Sequence, residues 1–163
     1  MSRKNAIKNW KLLFNKLSKI KINYQILLDE KIWYTLNDIT CNDFILHILK
    51  FGKPIEISLV GAFDDKGRGH RRDIELPFHK DGEYSAKISK QNNESFDKKV
   101  DIVGLYCIRS GEAKTLIKCR ENISEIKLKQ NQGIIFDNQK CLHSRTGVVG
   151  DRILLRVWIE KKI

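Results

Sequence analysis

The sequence predicts a mainly β fold with flanking helices. Short apolar stretches recur along the chain, and glycine or polar turns separate them, which is typical of a sandwich or barrel and not of a parallel α/β sheet. No Ser/Gly-rich linker or internal repeat interrupts this pattern, so the 163 residues are expected to form a single domain, 1–163. The predicted strands are 22–28, 32–36, 55–60, 74–78, 84–88, 100–108, 115–119, 123–128, 133–136 and 152–159.

A basic amphipathic helix is predicted at the start of the chain, over residues 1–20. Apolar residues recur there at three- and four-residue steps. Residues 1–28 carry seven basic and no acidic side chains, so the net charge of +11 falls to +4 (24 − 20) for the rest of the chain. Two interpretations stay open. The helix packs its apolar stripe against the sheet, or its basic face binds an acidic surface such as nucleic acid, anionic lipid or a protein partner.

A second, short helix is predicted over residues 43–50, after the capping residues Thr40 and Asn42. His47 falls on its apolar stretch and is expected to be a packed or surface side chain. With 41% hydrophobic residues, the chain can bury enough surface for one domain.

The compartment is predicted to be the cytoplasm or an equivalent reducing setting. No apolar run reaches the roughly 20 residues that a membrane span needs. The first residues also lack the uncharged apolar stretch and small-residue cleavage site of a secretory signal. The four cysteines, Cys41, Cys107, Cys119 and Cys141, show no Cys-x-x-Cys spacing and are interpreted as free thiols or small core residues.

The motif that points to chemistry is the triplet His79-Lys80-Asp81. Positions i and i+2 of a strand point the same way, so one extended segment can present an imidazole and a carboxylate together. A proline before the triplet and a glycine after it indicate a strand that ends in a turn. One such triplet often arises by chance, but His143 follows a predicted strand and a polar turn and can supply a third ligand. Two imidazoles and one carboxylate occupy one face of an octahedral iron(II) and leave the other open.

Arg152 is the basic residue predicted to accompany this metal site. It follows His143 by nine positions (152 − 143) and opens the predicted strand 152–159 after the turn between Gly147 and Gly150. A hairpin over this turn would bring Arg152 back beside His143.

At these residues the chain resembles the taurine dioxygenase and clavaminate synthase-like superfamily of iron(II)/2-oxoglutarate oxygenases. The resemblance spans residues 44–159 in four blocks that follow the family's order, and the last block is the most specific. The blocks are Phe51-Gly52-Lys53-Pro54, His79-Lys80-Asp81-Gly82, residues 104–107 with 110–116, and Asp137-Asn138 through His143-Ser144-Arg145 to Arg152-x-x-x-Arg156.

The resemblance implies a double-stranded β-helix, a jelly-roll and cupin-like fold, with iron(II) held by His79, Asp81 and His143. It implies that Arg152 binds the distal carboxylate of 2-oxoglutarate, assisted by the Thr115 hydroxyl. It also implies that Arg156, on the same strand face, shares that carboxylate or holds an anionic group of the substrate. The expected reaction is an O2-dependent oxidation, foremost a hydroxylation, with release of succinate and CO2.

One departure from the family concerns the cover of the pocket. Asp81 and His143 are 62 positions apart (143 − 81), which leaves no room for the long lid-forming insertion that many members carry. The pocket is therefore expected to be open, or to be closed by the polar loop 89–99. The basic stretch 66–72 is interpreted either as a solvated loop or as a clamp for an acidic substrate, and His70 within it has no partner at strand spacing.

The substrate is predicted to be a polar or anionic small molecule, received by Arg156 with Arg145 or with the stretch 66–72. A nucleic acid or peptide oxidised by the same chemistry is one alternative, although no aromatic run that could stack bases lies near the ligand strands. Another is a metal-binding cupin-like protein without oxygenase chemistry, which would not need the Arg152/Thr115 pair. The last is a non-catalytic module whose basic helix docks on nucleic acid.

Overall fold

The computed structural model of the chain describes residues 32–61, 75–83, 99–147 and 150–161. The predicted helix 1–20, the strands 22–28 and 84–88, the stretch 66–72 and all but the last residue of loop 89–99 lie outside these described residues. Within the described ranges no helix has the length and apolar character that crossing a membrane requires.

The described residues form a mainly β structure, as predicted. Its elements are β1 (Trp33–Leu36), α1 (Cys41–Ile48) with a 3₁₀ turn (Leu49–Phe51), β2 (Gly52–Gly61), β3 (Leu76–His79), β4 (Ile102–Arg109), β5 (Thr115–Cys119), β6 (Asn122–Ile126), β7 (Gly133–Asp137), β8 (Cys141–Arg145) and β9 (Ile153–Lys161). The helix begins two residues earlier than predicted, because Thr40 is its N-cap and accepts a hydrogen bond from the Asp43 amide at 3.1 Å.

The strands form two antiparallel sheets. The larger sheet has the order β1-β7-β4-β9-β2, and the smaller sheet has the order β3-β8-β5-β6. Apart from the β5–β6 hairpin, neighbouring strands in the two sheets are distant in sequence, which is typical of a jelly-roll and not of a simple meander.

The three inner strands of the larger sheet, β7, β4 and β9, are largely buried on both faces. The inner face of this sheet packs against the smaller sheet in one apolar cluster that includes Leu105, Phe136 and, from β5, Ile117. Its outer face is covered by α1, whose Phe44 and Ile48 belong to a second cluster. Buried residues on strands of this sheet therefore alternate between two apolar environments, and their apolar side chains are not confined to every second position.

Two glycines allow α1 to lie close to the larger sheet. A Cβ atom at Gly104 would lie 2.1 Å from Ile48 Cδ1, and one at Gly133 would lie 2.4 Å from Phe44 Cε2. A side chain at either position would force Ile48 or Phe44 to move, so glycine suits both positions by packing.

The predicted hairpin between the His143 and Arg152 segments is wrong. Strand β8 pairs with β3 and β5 in the smaller sheet, whereas β9 pairs with β2 and β4 in the larger one. The connection after β8 therefore passes from one sheet to the other. The physical reason lies in β9 itself, whose residues 153–155 and 157–159 are buried on both faces and need an interior position in a covered sheet.

The interpretation of all four cysteines as free is also wrong. Cys119 and Cys141 form a disulfide between β5 and β8, where their Cα atoms are 4.4 Å apart in directly opposed positions. Cys107 is buried and free, as expected, and Cys41 is free and half-buried. Because disulfides persist mainly in oxidising compartments, this pair gives no support to the predicted reducing compartment.

Candidate metal and co-substrate site

The structure brings together the three predicted metal ligands. His79 ends β3 and lies opposite His143 of β8 in the strand register, while Asp81 follows in the turn after β3. His79 Nε2 is 3.9 Å from Asp81 Oδ1, and His143 Nε2 is 3.6 Å from Asp81 Oδ2. One ligand atom from each residue lies within 4.8 Å of the others. Asp81 thus lies just outside the strand on which it was predicted, but the three predicted ligands converge on one point.

Hydrogen bonding orients one imidazole for a metal, and burial keeps the other neutral. The Nδ1 atom of His79 lies 2.8 Å from the Pro77 carbonyl oxygen, which can only accept, so Nδ1 carries a proton and Nε2 is the nitrogen that remains for a metal. Burial lowers the pKa of His143 to about 4, although the negative charge of Asp81 acts in the opposite direction. His143 is therefore neutral at physiological pH.

The donor set fits non-haem iron(II). Two neutral imidazole nitrogens and one carboxylate oxygen from three positions can occupy one triangular face of an octahedral ion. Asp81 and His143 are buried, so the ligands lie where solvent competes little for the metal.

The Asp81 carboxylate has two further donors, both from β9. Trp158 Nε1 donates to Oδ2 at 2.8 Å, and Arg156 Nη1 donates to Oδ1 at 3.0 Å. The Arg156 guanidinium carbon lies 4.3 Å from the centroid of the Trp158 ring, and its Nη2 donates to Glu56 at 3.2 Å. Arg156, predicted as a residue for the co-substrate or the substrate anion, is thus placed against a metal ligand.

Asn138 holds the main chain of Asp81. Its Oδ1 accepts from the Asp81 amide at 3.0 Å, and its Nδ2 donates to the carbonyl oxygens of Asp81 at 3.0 Å and of Val100 at 2.9 Å. The side chain is 1% exposed. The expected turn residue is therefore also a buried link between the turn after β7 and the turn that carries Asp81.

Sequence reasoning did not single out Trp158. The available signal was its position on β9, two residues after Arg156 and six after Arg152, which places all three side chains on one strand face. Asn138 was singled out, but no sequence pattern links it to Asp81, because its partners are main-chain groups.

Arg152 and Thr115, the two residues predicted to hold the distal carboxylate of 2-oxoglutarate, are in direct contact. Arg152 Nη2 donates to Thr115 Oγ1 at 2.6 Å, and Nη1 donates to the Ala113 carbonyl at 3.0 Å. Arg152 is only 5% exposed, and this burial lowers its pKa to about 10, so the guanidinium is still protonated at neutral pH. A buried cation of this kind favours an anionic ligand.

One cavity joins these groups. It is lined by the two histidines, by the Arg152/Thr115 pair and by further basic and apolar side chains. Its lining residues are Val60, Gly61, Leu76, His79, Leu105, Thr115, His143, Ser144, Arg145, Arg152, Leu154 and Arg156. The apolar wall lowers the local dielectric constant, which strengthens charge interactions inside the cavity.

No family model matches the sequence, and no curated protein matches it. Solved structures do match. A prolyl-4-hydroxylase from Pseudomonas putida is 9% identical, with a TM-score of 0.51, and the match covers 83% of this chain and 96% of that chain. The fold is a double-stranded β-helix, as predicted. A Trichoplax adhaerens prolyl hydroxylase, in complex with a hypoxia inducible factor oxygen degradation domain peptide fragment, is 8% identical with a TM-score of 0.43, over 97% of this chain and 93% of that chain.

Proposed function

We propose that the chain is an iron(II)- and 2-oxoglutarate-dependent oxygenase that oxidises a polar or anionic small molecule. The proposed catalytic unit is the part of the single domain within residues 44–159. His79, Asp81 and His143 are the proposed metal ligands, and Arg152 with Thr115 is the proposed site for the distal carboxylate of 2-oxoglutarate.

The observation that carries this proposal is that one cavity is lined by both halves of the site. The two histidines and the Arg152/Thr115 pair share its surface, with Asp81 buried beside the histidines. A metal site that served hydrolysis or structure alone would not require a buried arginine in the same cavity. A keto acid that binds a metal at one end and carries a carboxylate at the other matches both halves.

The protein's part in the reaction follows from these contacts. Bound iron(II), together with O2 and the keto acid, would supply the oxidising chemistry. His79 and His143 hold the metal through neutral nitrogens, and Asp81 adds the negative charge. Arg152 fixes the distal carboxylate of the co-substrate. The apolar wall, with Leu76, excludes water and narrows the orientations open to the substrate.

Arg145 is the proposed cation for the anionic group of the substrate. It lines the cavity and lies opposite Thr115 in the β5–β8 register. Burial lowers the pKa of Arg152, and the positive charge of Arg145 lowers it further. Arg156, which was predicted to receive this anion together with Arg145 or with the stretch 66–72, is bonded to Asp81 and Glu56.

The test is substrate-stimulated succinate release by the iron-loaded chain supplied with 2-oxoglutarate. Pools of anionic metabolites, of proline-containing peptides and of oligonucleotides are compared. We expect a member of the first pool to stimulate turnover, and Arg145→Gln to raise KM for that compound more than KM for 2-oxoglutarate. The variant His79→Ala/His143→Ala is the inactive control.

Two results would refute the assignment of a small-molecule substrate. Turnover stimulated by oligonucleotides alone, with steep inhibition by salt, would replace the small molecule with a nucleic acid. Stimulation by peptides alone would replace it with a peptide. If the wild-type chain binds no iron(II), or if the double variant still binds it one to one while folded, the metal site itself is wrong.

A further inference from the structure

We infer that Trp158, Arg156 and Asn138 are positioning residues that fix Asp81 in its metal-binding orientation before the metal arrives. This inference rests on the proposed function, because it concerns a ligand of the proposed metal. These three side chains, termed the Asp81 brace, belong neither to the ligand set nor to the Arg152/Thr115 pair.

The Asp81 carboxylate is held by two N–H donors. Each oxygen of Asp81 already accepts one N–H group: Trp158 donates to Oδ2 and Arg156 donates to Oδ1. The two donors lie on the same strand two residues apart, and the guanidinium carbon lies 4.3 Å from the centroid of the indole ring, within the range of a cation–π contact. A carboxylate oxygen has two lone pairs, so each oxygen retains one for a metal. The carboxylate plane is thereby set by β9.

The main chain of Asp81 is held separately from its carboxylate. Asp81 lies in a turn and not in a strand, so no ladder holds its peptide groups. Asn138 substitutes for the ladder by accepting from the Asp81 amide and donating to its carbonyl oxygen. The same amide group also holds Val100, and it is fully buried, so the link does not depend on a surface contact.

The three proposed ligands differ in how the fold holds them in place. His79 and His143 are aligned by β3–β8 pairing, which places them opposite each other. Asp81 lacks such support and would need to be ordered at the moment of binding. Outer contacts of this type typically change metal affinity by about 10- to 100-fold. The brace therefore reduces the conformational entropy that Asp81 loses when the metal binds. A variant without one of its contacts should bind metal more weakly.

The test uses Co(II) as the probe, titrated into the full chain and followed by its visible absorption. Trp158→Phe keeps the ring but removes the N–H donor, and it changes no charge, so electrostatic effects on the cation stay constant. Arg156→Lys keeps the charge but loses the planar fork. Trp33→Phe is the matched control, because Trp33 packs against the same apolar cluster and pairs with Phe136 in the register.

We expect Trp158→Phe to bind Co(II) about tenfold more weakly than the wild type and with an altered absorption spectrum. Arg156→Lys is expected to change in the same direction, and Trp33→Phe is expected to keep wild-type affinity. A purely structural role would lower the melting temperature of the metal-free protein but leave the spectrum of the bound metal unchanged.

The inference is overturned if folded Trp158→Phe and Arg156→Lys both bind Co(II) with wild-type affinity and spectrum. It is also overturned if Trp33→Phe weakens binding as much as they do. If Trp158→Phe does not fold, Arg156→Lys decides the matter alone. Failure of the proposed function gives a different pattern: the wild type does not bind Co(II), or His79→Ala binds it equally well.

Discussion

Replacement of Arg152 by methionine is expected to weaken the binding of 2-oxoglutarate by a factor of roughly 30 to several thousand. The guanidinium is 5% exposed and is held by Thr115 and by the Ala113 carbonyl. Loss of one partner from a buried, hydrogen-bonded charge pair costs about 2 to 5 kcal/mol. Since each 1.4 kcal/mol is about a factor of ten in the dissociation constant, that range gives the expected loss.

The same substitution has a separate effect on stability, which must be distinguished. It leaves Thr115 Oγ1 and the Ala113 carbonyl without their donor, and a buried polar group without a partner costs about 1 to 3 kcal/mol. Thr115→Val, which removes the hydroxyl but keeps the charge, should weaken 2-oxoglutarate binding less than Arg152→Met. The two single variants and the double variant form a cycle that isolates the coupling between the residues.

The assay is equilibrium binding of 2-oxoglutarate to the iron-loaded chain without O2, with the folded fraction of each variant measured separately. Trp33→Phe serves as the comparison, since Trp33 is not among the residues that line the cavity. Wild-type affinity in folded Arg152→Met would refute the assignment. If Arg156→Ala lost binding at the same time, the carboxylate role would pass to Arg156.

Three further predictions concern stability. Burial lowers the pKa of His47, with a smaller effect from Lys50, so the contribution of His47 to stability is present above about pH 6.5 and is lost as the pH falls below that value. His47→Phe should therefore flatten the dependence of the unfolding free energy on pH below about pH 6.5. An unchanged slope in this variant contradicts the prediction. Gly133→Ala should lower the unfolding free energy by about 1 to 3 kcal/mol in urea titrations, because its Cβ would overlap the ring that packs on it, and a neutral result means that α1 shifts freely. Reduction of the Cys119–Cys141 disulfide, which spans 22 residues, should lower the unfolding free energy by about 3 kcal/mol. If the reductant lowers the unfolding free energy of Cys119→Ala/Cys141→Ala by the same amount, the effect is not due to the bond.

Much of the fold was accessible from the sequence because local pattern and burial agree. Strand β5 has the predicted bounds 115–119, and helix α1 starts at the residue that follows the predicted cap Thr40. In both cases the signal is local: a short run rich in apolar and β-branched residues for the strand and a hydroxyl at the N-cap for the helix. The ligand triplet was recognised from its residue types and spacing, although β3 ends at His79 and Asp81 lies in the turn that follows, so the strand geometry expected for the pair is not the one observed.

The errors share a different cause, which is pairing between distant segments. The Cys119–Cys141 bond depends on the β5–β8 register, and the supposed hairpin failed because β8 and β9 belong to different sheets. Neither register can be read from local periodicity, since each is decided by which strands bury each other's faces. The contacts of Asn138 were missed on the same ground, because main-chain partners carry no residue type that a sequence could reveal.

Strand β9 shows how one register fixes both halves of the proposed site. Positions 152, 154, 156 and 158 face the inside: Arg152 holds Thr115, Leu154 lines the cavity, and Arg156 and Trp158 hold Asp81. The intervening residues Leu155, Val157 and Ile159 belong to the cluster under α1. At about 3.3 Å per residue, the Cα atoms of Arg152 and Arg156 are separated by roughly 13 Å of strand. The distance between Arg152, the proposed partner of the distal 2-oxoglutarate carboxylate, and the Asp81 side chain held by Arg156 is therefore set by strand β9. A one-residue slip of β9 would bury both arginines in the apolar layer beneath the helix.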